Sequence, residues 1–64
     1  MTRYGISIMY PNGHEDWSEY RSKAENVEHY NKVKEFYEKK GCKVKLIQYQ
    51  RANGSSYNFK VIAE

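Results

Sequence analysis

The stretch VKLIQYQRANGSSYNFKVIA, residues 44–63, decides the fold. Asn53-Gly54 lies near its centre, and Asn-Gly is the strongest short hairpin signal because both residues tolerate a positive φ. The flanking segments alternate apolar and polar residues, which is the period of a half-buried strand. A two-residue type I′ turn then sets the pairs on the face that we expect to be covered: Gln50 with Tyr57, Gln48 with Phe59, Leu46 with Val61, and Val44 with Ala63.

The opposite face of this hairpin is expected to be basic, with apolar and aromatic residues between the charges. Its predicted pairs are Tyr49 with Asn58, Ile47 with Lys60, and Lys45 with Ile62, with Arg51 beside the turn. Because the side-chain period of a strand is two residues, a slip of one residue would exchange the two faces.

A second Asn-Gly, in Pro11-Asn12-Gly13, follows a predicted strand at 4–10 and precedes a predicted strand at 14–21. Proline before Asn-Gly fits a type I turn with Gly13 as a bulge residue. This turn pairs Ile6 with Ser18 and directs Trp17, beside Ser7, away from the core. A two-residue turn would instead bring Trp17 into the core. In a third arrangement residues 16–22 begin a longer helix and give a βαββ fold. The apolar residues of such a helix would not stay on one face along its length, which favours the hairpin.

A helix over about residues 23–40 follows. Ser22 and Glu25 form a capping box, and Gly41 is a natural stop. The stripe expected to be buried is Val27, Tyr30, Val33 and Tyr37, flanked by Ala24 and Phe36. The sequence therefore predicts an α+β fold of ββαββ order. In it, a four-stranded antiparallel sheet is covered on one face by a single helix.

The chain has 64 residues, 39% hydrophobic, with a net charge of +3, which predicts one small domain over residues 1–64. One cysteine excludes an internal disulfide, and no apolar run approaches the roughly 20 residues of a membrane span. The first residues lack the features of a signal peptide. We expect a cytoplasmic protein without membrane contact, and not an enzyme, because a core this small leaves little room for a catalytic pocket.

Chemistry-bearing residues are sparse. The plausible metal ligands are His14, Glu15, Asp16, His29 and Cys42, and they show no CxxC, HxxxH or HExxH spacing. The glycines are scattered singly, so no phosphate-binding loop is predicted. Cys42 follows the end of the helix, where the dipole disfavours a thiolate, and we expect it to be buried and structural. Neither a metal nor a cofactor is expected, and no residue is assigned a catalytic role.

The sheet face away from the helix is the candidate contact surface. The predicted anchors are Trp17, Tyr49, Ile47 and Met9, and the predicted basic rim is Arg3, Arg21, Lys45, Arg51 and Lys60. Exposed aromatics with an arginine rim are typical of protein contacts, including a homodimer seam. The alternative is a nucleic-acid-binding face, since basic residues around aromatics also stack bases and neutralise phosphates. An ordinary solvated face, with lysine stems over isoleucines, is the third interpretation.

The segment Tyr10-Pro-Asn-Gly-His-Glu-Asp-Trp-Ser-Glu-Tyr-Arg21, leading into Ser22-Lys-Ala-Glu25 of a short chain rich in Lys, Glu and Tyr, resembles small phage- or prophage-encoded proteins of AT-rich hosts. Many of these are host-takeover or anti-defence factors, including anti-CRISPR proteins, that bind and block one host protein or complex. The resemblance implies a protein-binding inhibitor acting in the cytoplasm of a bacterial host. It assigns no role to any individual residue.

Overall fold

A computed structural model describes all 64 residues as four strands and one helix. In chain order the elements are β1 (Thr2–Met9), β2 (Glu15–Ser18), α1 (Lys23–Glu38), β3 (Lys43–Ala52) and β4 (Ser55–Ala63). All neighbouring strands are antiparallel, and the sheet order is β2-β1-β3-β4. The predicted ββαββ layout is confirmed.

The N-terminal hairpin has the bulged turn that Pro11-Asn12-Gly13 predicts. The Gly13 N–H donates to the Tyr10 carbonyl at 3.0 Å, and Gly13 has a φ of 90°. Ser7 pairs with Trp17, so the predicted register is confirmed. Strand β2 ends at Ser18, before the predicted end at residue 21, and the alternative βαββ fold is not adopted.

The helix begins at the predicted capping box. The Glu25 N–H donates to Ser22 Oγ at 3.2 Å, and the Ser22 hydroxyl donates to Glu25 Oε1 at 3.2 Å. The helix ends at Glu38, two residues before the predicted end, and Gly41 reverses the chain with a φ of 85°. Ser22 Oγ satisfies the Glu25 N–H, one of the backbone donors that a helix leaves without partners at its start, while the Glu25 carboxylate accepts from the Ser22 hydroxyl and not from the Ser22 N–H that a full capping box uses.

Asn26 secures the connection between β2 and α1, and its role was missed in the sequence. Its side chain is fully buried. The side-chain oxygen accepts from the Tyr20 N–H at 3.2 Å, and Nδ2 donates to the carbonyls of Tyr20 (3.2 Å) and Ser22 (2.7 Å). Three hydrogen bonds satisfy an amide that would otherwise be costly to bury.

The core lies between α1 and the two central strands. Its buried members are Ile6, Ile8, Tyr30, Cys42, Val44 and Leu46. The expected burial of Cys42 is confirmed. The helix packs against β1 and β3, while residues 55–61 of β4 lie outside its cover and are exposed. The C-terminal hairpin is therefore only partly covered by α1.

Within the C-terminal hairpin, the predicted turn is confirmed and the register beyond it is wrong. Asn53 and Gly54 have positive φ values of 52° and 80°, and Gln50 pairs with Tyr57 as expected. Next to this pair the register shifts by one residue at Asn58, whose φ is 55°. The pairs that follow are Gln48 with Lys60, Ile47 with Val61, and, after a second shift, Leu46 with Ala63.

The shift at Asn58 is a β-bulge, in which two residues of one strand oppose a single residue of its neighbour. Asn is one of the few residues other than glycine that enter the left-handed region readily. Past the bulge the side chains change faces. Phe59 and Val61 therefore leave the helix side, where they were predicted, and Lys60 joins it. Ile62 was predicted on the opposite face but packs against the core.

Candidate protein-binding face

The sheet surface opposite α1, here called the distal face, is formed by all four strands. Paired residues share a face and successive residues alternate, so the register defines its members. They are Arg3, Gly5, Ser7 and Met9 of β1; Glu15 and Trp17 of β2; Lys43, Lys45, Ile47, Tyr49 and Arg51 of β3; and Ser56, Phe59 and Val61 of β4.

Three aromatic side chains form a continuous row across the distal face. Trp17 meets the ring of Tyr49 edge to face, with 5.9 Å between the ring centroids. Phe59 stacks on Tyr49 at 5.1 Å, with 19° between the ring planes. Because Tyr49 lies between two rings, it is only 3% exposed. We call Trp17, Tyr49 and Phe59 the aromatic row.

Gly5 provides the space for Trp17. A Cβ placed on Gly5 would lie 2.1 Å from Cζ2 of Trp17, a distance that no real contact allows. The indole therefore leans from β2 across the bare backbone of β1 towards Tyr49 on β3. A glycine inside a strand often marks such a close approach.

Large apolar side chains remain exposed on the distal face. Phe59 is 60% exposed, Val61 is 45% and Trp17 is 44%, and Met9 is also exposed. Ile47, opposite Val61, is half-buried. Single exposed apolar residues need no explanation, but a contiguous group of them is typical of an interaction site.

The charges of the distal face divide by strand. On the β2 side, Glu19 pairs with Arg3 at 3.5 Å, and the Glu15 carboxylate accepts a hydrogen bond from Ser7 Oγ at 2.5 Å. On β3, the three basic side chains Lys43, Lys45 and Arg51 form no ion pair. We call these three the basic row. The uncompensated charge of the face is therefore mostly positive and lies along β3.

A shallow depression of about 450 Å³ runs over the aromatic row and is open to solvent. Its lining residues are Glu15, Trp17, Glu19, Tyr49, Arg51, Ser56 and Phe59. Small-molecule sites are generally enclosed and bury most of the ligand. An open depression of this kind suits side chains projecting from a larger partner.

Six of the nine residues predicted for the contact surface lie on the distal face with exposed or half-buried side chains: Trp17, Ile47, Met9, Arg3, Lys45 and Arg51. Tyr49 lies on this face but is buried within the aromatic row. Lys60 was placed on the wrong face, because the bulge turns it to the helix side. Arg21 lies in the connection between β2 and α1, outside the sheet, because β2 ends early.

Phe59 and Val61 are the residues that the sequence analysis missed on this face. The available signal was Asn58, since an asparagine inside an apolar strand pattern can mark a left-handed bulge residue. The regular alternation of residues 57–63 instead predicts an unbroken strand with Phe59 and Val61 on the helix side.

A separate polar cluster lies at the turn end of the N-terminal hairpin. The Tyr10 hydroxyl donates to Asp16 Oδ2 at 2.9 Å, and His14 Nε2 lies 3.1 Å from Asp16 Oδ1. The hydrogen bond to Asp16, assisted by partial burial and the carboxylate's charge, raises the pKa of Tyr10 to about 12. No group of three or more His, Cys, Asp or Glu side chains converges as a metal site would require. The cluster ties the turn to the strand.

Comparison with known proteins identifies no relative. The sequence matches no family model, and neither a curated protein nor a solved structure matches it significantly. The single helix is too short and too polar to cross a bilayer.

Proposed function

We propose that the chain is a small, non-enzymatic protein-binding module that acts through the distal face. Its biological role would be that of an inhibitor or modulator of one protein or complex. If the chain is phage-encoded, as its resemblance to phage anti-defence proteins implies, the target would be a host protein in the bacterial cytoplasm.

One observation carries this proposal: Phe59, Val61 and Trp17 are all exposed on one sheet face that no element covers. The bulge at Asn58 turns Phe59 and Val61 to the distal face, where they flank Tyr49 and Ile47. Aromatic and aliphatic anchors surrounded by polar groups are the usual composition of an interface centre.

The test is affinity capture from bacterial lysate with the tagged chain, with and without nuclease. The informative variant is Phe59→Ser with Val61→Thr, which removes the exposed anchors and keeps β-compatible side chains. We expect a lysate protein to be captured equally with and without nuclease, and to be lost when this variant is used.

Phe36→Ser is the matched control. Phe36 is 54% exposed, close to the value for Phe59, but lies on α1. Capture by the Phe36 variant should equal that by the original chain. Equal capture by all three chains would place the binding site away from the distal face, and so would loss of capture with the Phe36 variant alone.

Nucleic-acid binding is the second candidate, and the basic row beside the exposed ring of Phe59 is what favours it. One feature counts against it: Tyr49 is covered by its neighbours and has no free face for a base. Affinity for single- or double-stranded DNA or RNA that falls steeply with salt would support this candidate. Absence of binding at low salt would exclude it.

A further inference from the structure

The β3–β4 half of the distal face differs chemically from the β2 half. The basic row lies along β3, and beside it β4 carries the two most exposed apolar side chains of the face, Phe59 and Val61. The carboxylates Glu15 and Glu19 belong to the other half, where they bind Ser7 and Arg3. The free positive charge and the free apolar surface are therefore adjacent.

The spacing of the basic row sets the size of what it can bind. Lys43 and Arg51 lie eight residues apart on one strand, roughly 26 Å at about 3.3 Å per residue, with Lys45 between them. Ile47 and Tyr49 fill the interval, and Phe59 and Val61 flank it from β4. A matching ligand would carry negative groups at both ends of an apolar centre.

We propose that the β3–β4 half of the distal face binds an acidic segment of the partner protein, one whose carboxylates face the basic row and whose apolar side chains cover Phe59 and Val61. The inference rests on the proposed function and specifies the chemistry of the partner. Complementary charge at such a surface sets orientation and speeds association, while the apolar centre supplies most of the affinity.

A second copy of this chain fits the surface less well. Two distal faces brought together would oppose two sets of unpaired Lys43, Lys45 and Arg51, with only Glu15 free of an ion pair to offset them. Like charges placed together across an interface are unfavourable. The charge pattern therefore argues for a partner of different composition.

The test uses defined probes. The first is a peptide of about ten residues with glutamates at both ends and leucines in the centre, long enough to span the basic row when extended. The second has lysines in place of the glutamates at the same length, and the third is an oligothymidylate of the same charge as the first. Trp17 is the only tryptophan and is partly exposed on the distal face, so its fluorescence reports occupancy. Calorimetry gives the affinity.

The charge-reversal variant is Lys45→Glu with Arg51→Glu, and its control is Lys60→Glu with Arg21→Glu. Both pairs exchange one lysine and one arginine, and all but the half-buried Lys45 are exposed, but the control residues lie off the distal face. We expect the glutamate–leucine peptide to bind at least about tenfold more tightly than the other probes. The reversal should weaken its binding by about tenfold or more, and the control should change it less than about threefold.

Three results would overturn the proposal: equal or tighter binding of the lysine–leucine peptide, tighter binding of the oligothymidylate, or equal weakening by the two double variants. Self-association of the free chain that the Lys45 and Arg51 reversal abolishes would also overturn it in favour of a second copy. If these probes fail while lysate capture still depends on Phe59 and Val61, only the acidic chemistry is wrong. If capture is also independent of those residues, the proposed function falls as well.

Discussion

Replacing Gly5 with alanine would remove the space that Trp17 occupies. The new Cβ would lie 2.1 Å from Cζ2 of the indole, so the ring must leave its place against β1 and Tyr49. Trp17 is 44% exposed, which means that about half of a side chain able to bury roughly 150–250 Å² is covered. Losing about 100 Å² of that cover costs about 2.5 kcal/mol at about 25 cal/mol per Å².

Part of this cost is recovered, because alanine is favoured over glycine within a strand by about 0.5–1 kcal/mol. The net loss in the free energy of unfolding is then about 2 kcal/mol. In a domain of this size such a loss lowers Tm by about 10 °C. Urea unfolding followed by circular dichroism measures the stability, and a red shift of the native tryptophan emission reports the displaced indole.

The double-mutant cycle with Trp17→Ala separates this mechanism from a general effect on β1. Without the indole, Gly5→Ala meets no obstacle and should be neutral or stabilising by about 0.5 kcal/mol. Equal destabilisation by Gly5→Ala with Trp17 present and with Trp17→Ala would show that Gly5 does not act by leaving space for the indole. An unchanged stability and emission spectrum in the single variant would refute it too.

Three further predictions concern other parts of the fold. Asn58→Gly should keep the bulge with little change in stability, whereas Asn58→Val should cost about 1–2 kcal/mol, because a β-branched residue is strained at a φ of 55°; equal urea midpoints would contradict this. Asn26→Ala should cost about 1–3 kcal/mol, since it removes three hydrogen bonds to the part-buried backbone of Tyr20 and Ser22, and near-normal thermal stability would be the contrary result. The pKa of Tyr10 is raised to about 12, so the stability that its hydrogen bond to Asp16 contributes is complete below pH 10 and is lost as the pH rises through 12. Ultraviolet titration should show one tyrosine ionising near pH 12 and Asp16→Asn should abolish that step; the same titration curve in both chains would show that Asp16 is not the cause.

Turn chemistry made much of the fold predictable. Pro11-Asn12-Gly13 and Asn53-Gly54 each dictate a backbone conformation locally, and the register of the N-terminal hairpin follows from its turn alone. The start of the helix was predictable from Ser22 and Glu25, because capping depends on residues only a few positions apart.

The register of β4 could not be predicted, because it depends on whether the helix packs over the strand, and the sequence does not show that. The alternation of residues 57–63 indicates one buried face, but α1 packs on β1 and β3 and does not cover most of β4. With no core to bury Phe59, its contact with Tyr49 on the other face prevails. The burial of Tyr49 was hidden for the same reason, since it comes from side chains on two other strands.

The bulge at Asn58 also bears on solubility. Strand β4 is an outer strand of nine residues, and its free backbone groups could template a second chain into a growing sheet. A bulge breaks the even spacing of those groups and twists the strand, which hinders such pairing. Asn58, which turns Phe59 and Val61 to the distal face, thus also hinders edge-to-edge association of the molecule. A regular β4 without the bulge would present evenly spaced backbone groups along the whole outer edge and so a higher risk of forming fibres.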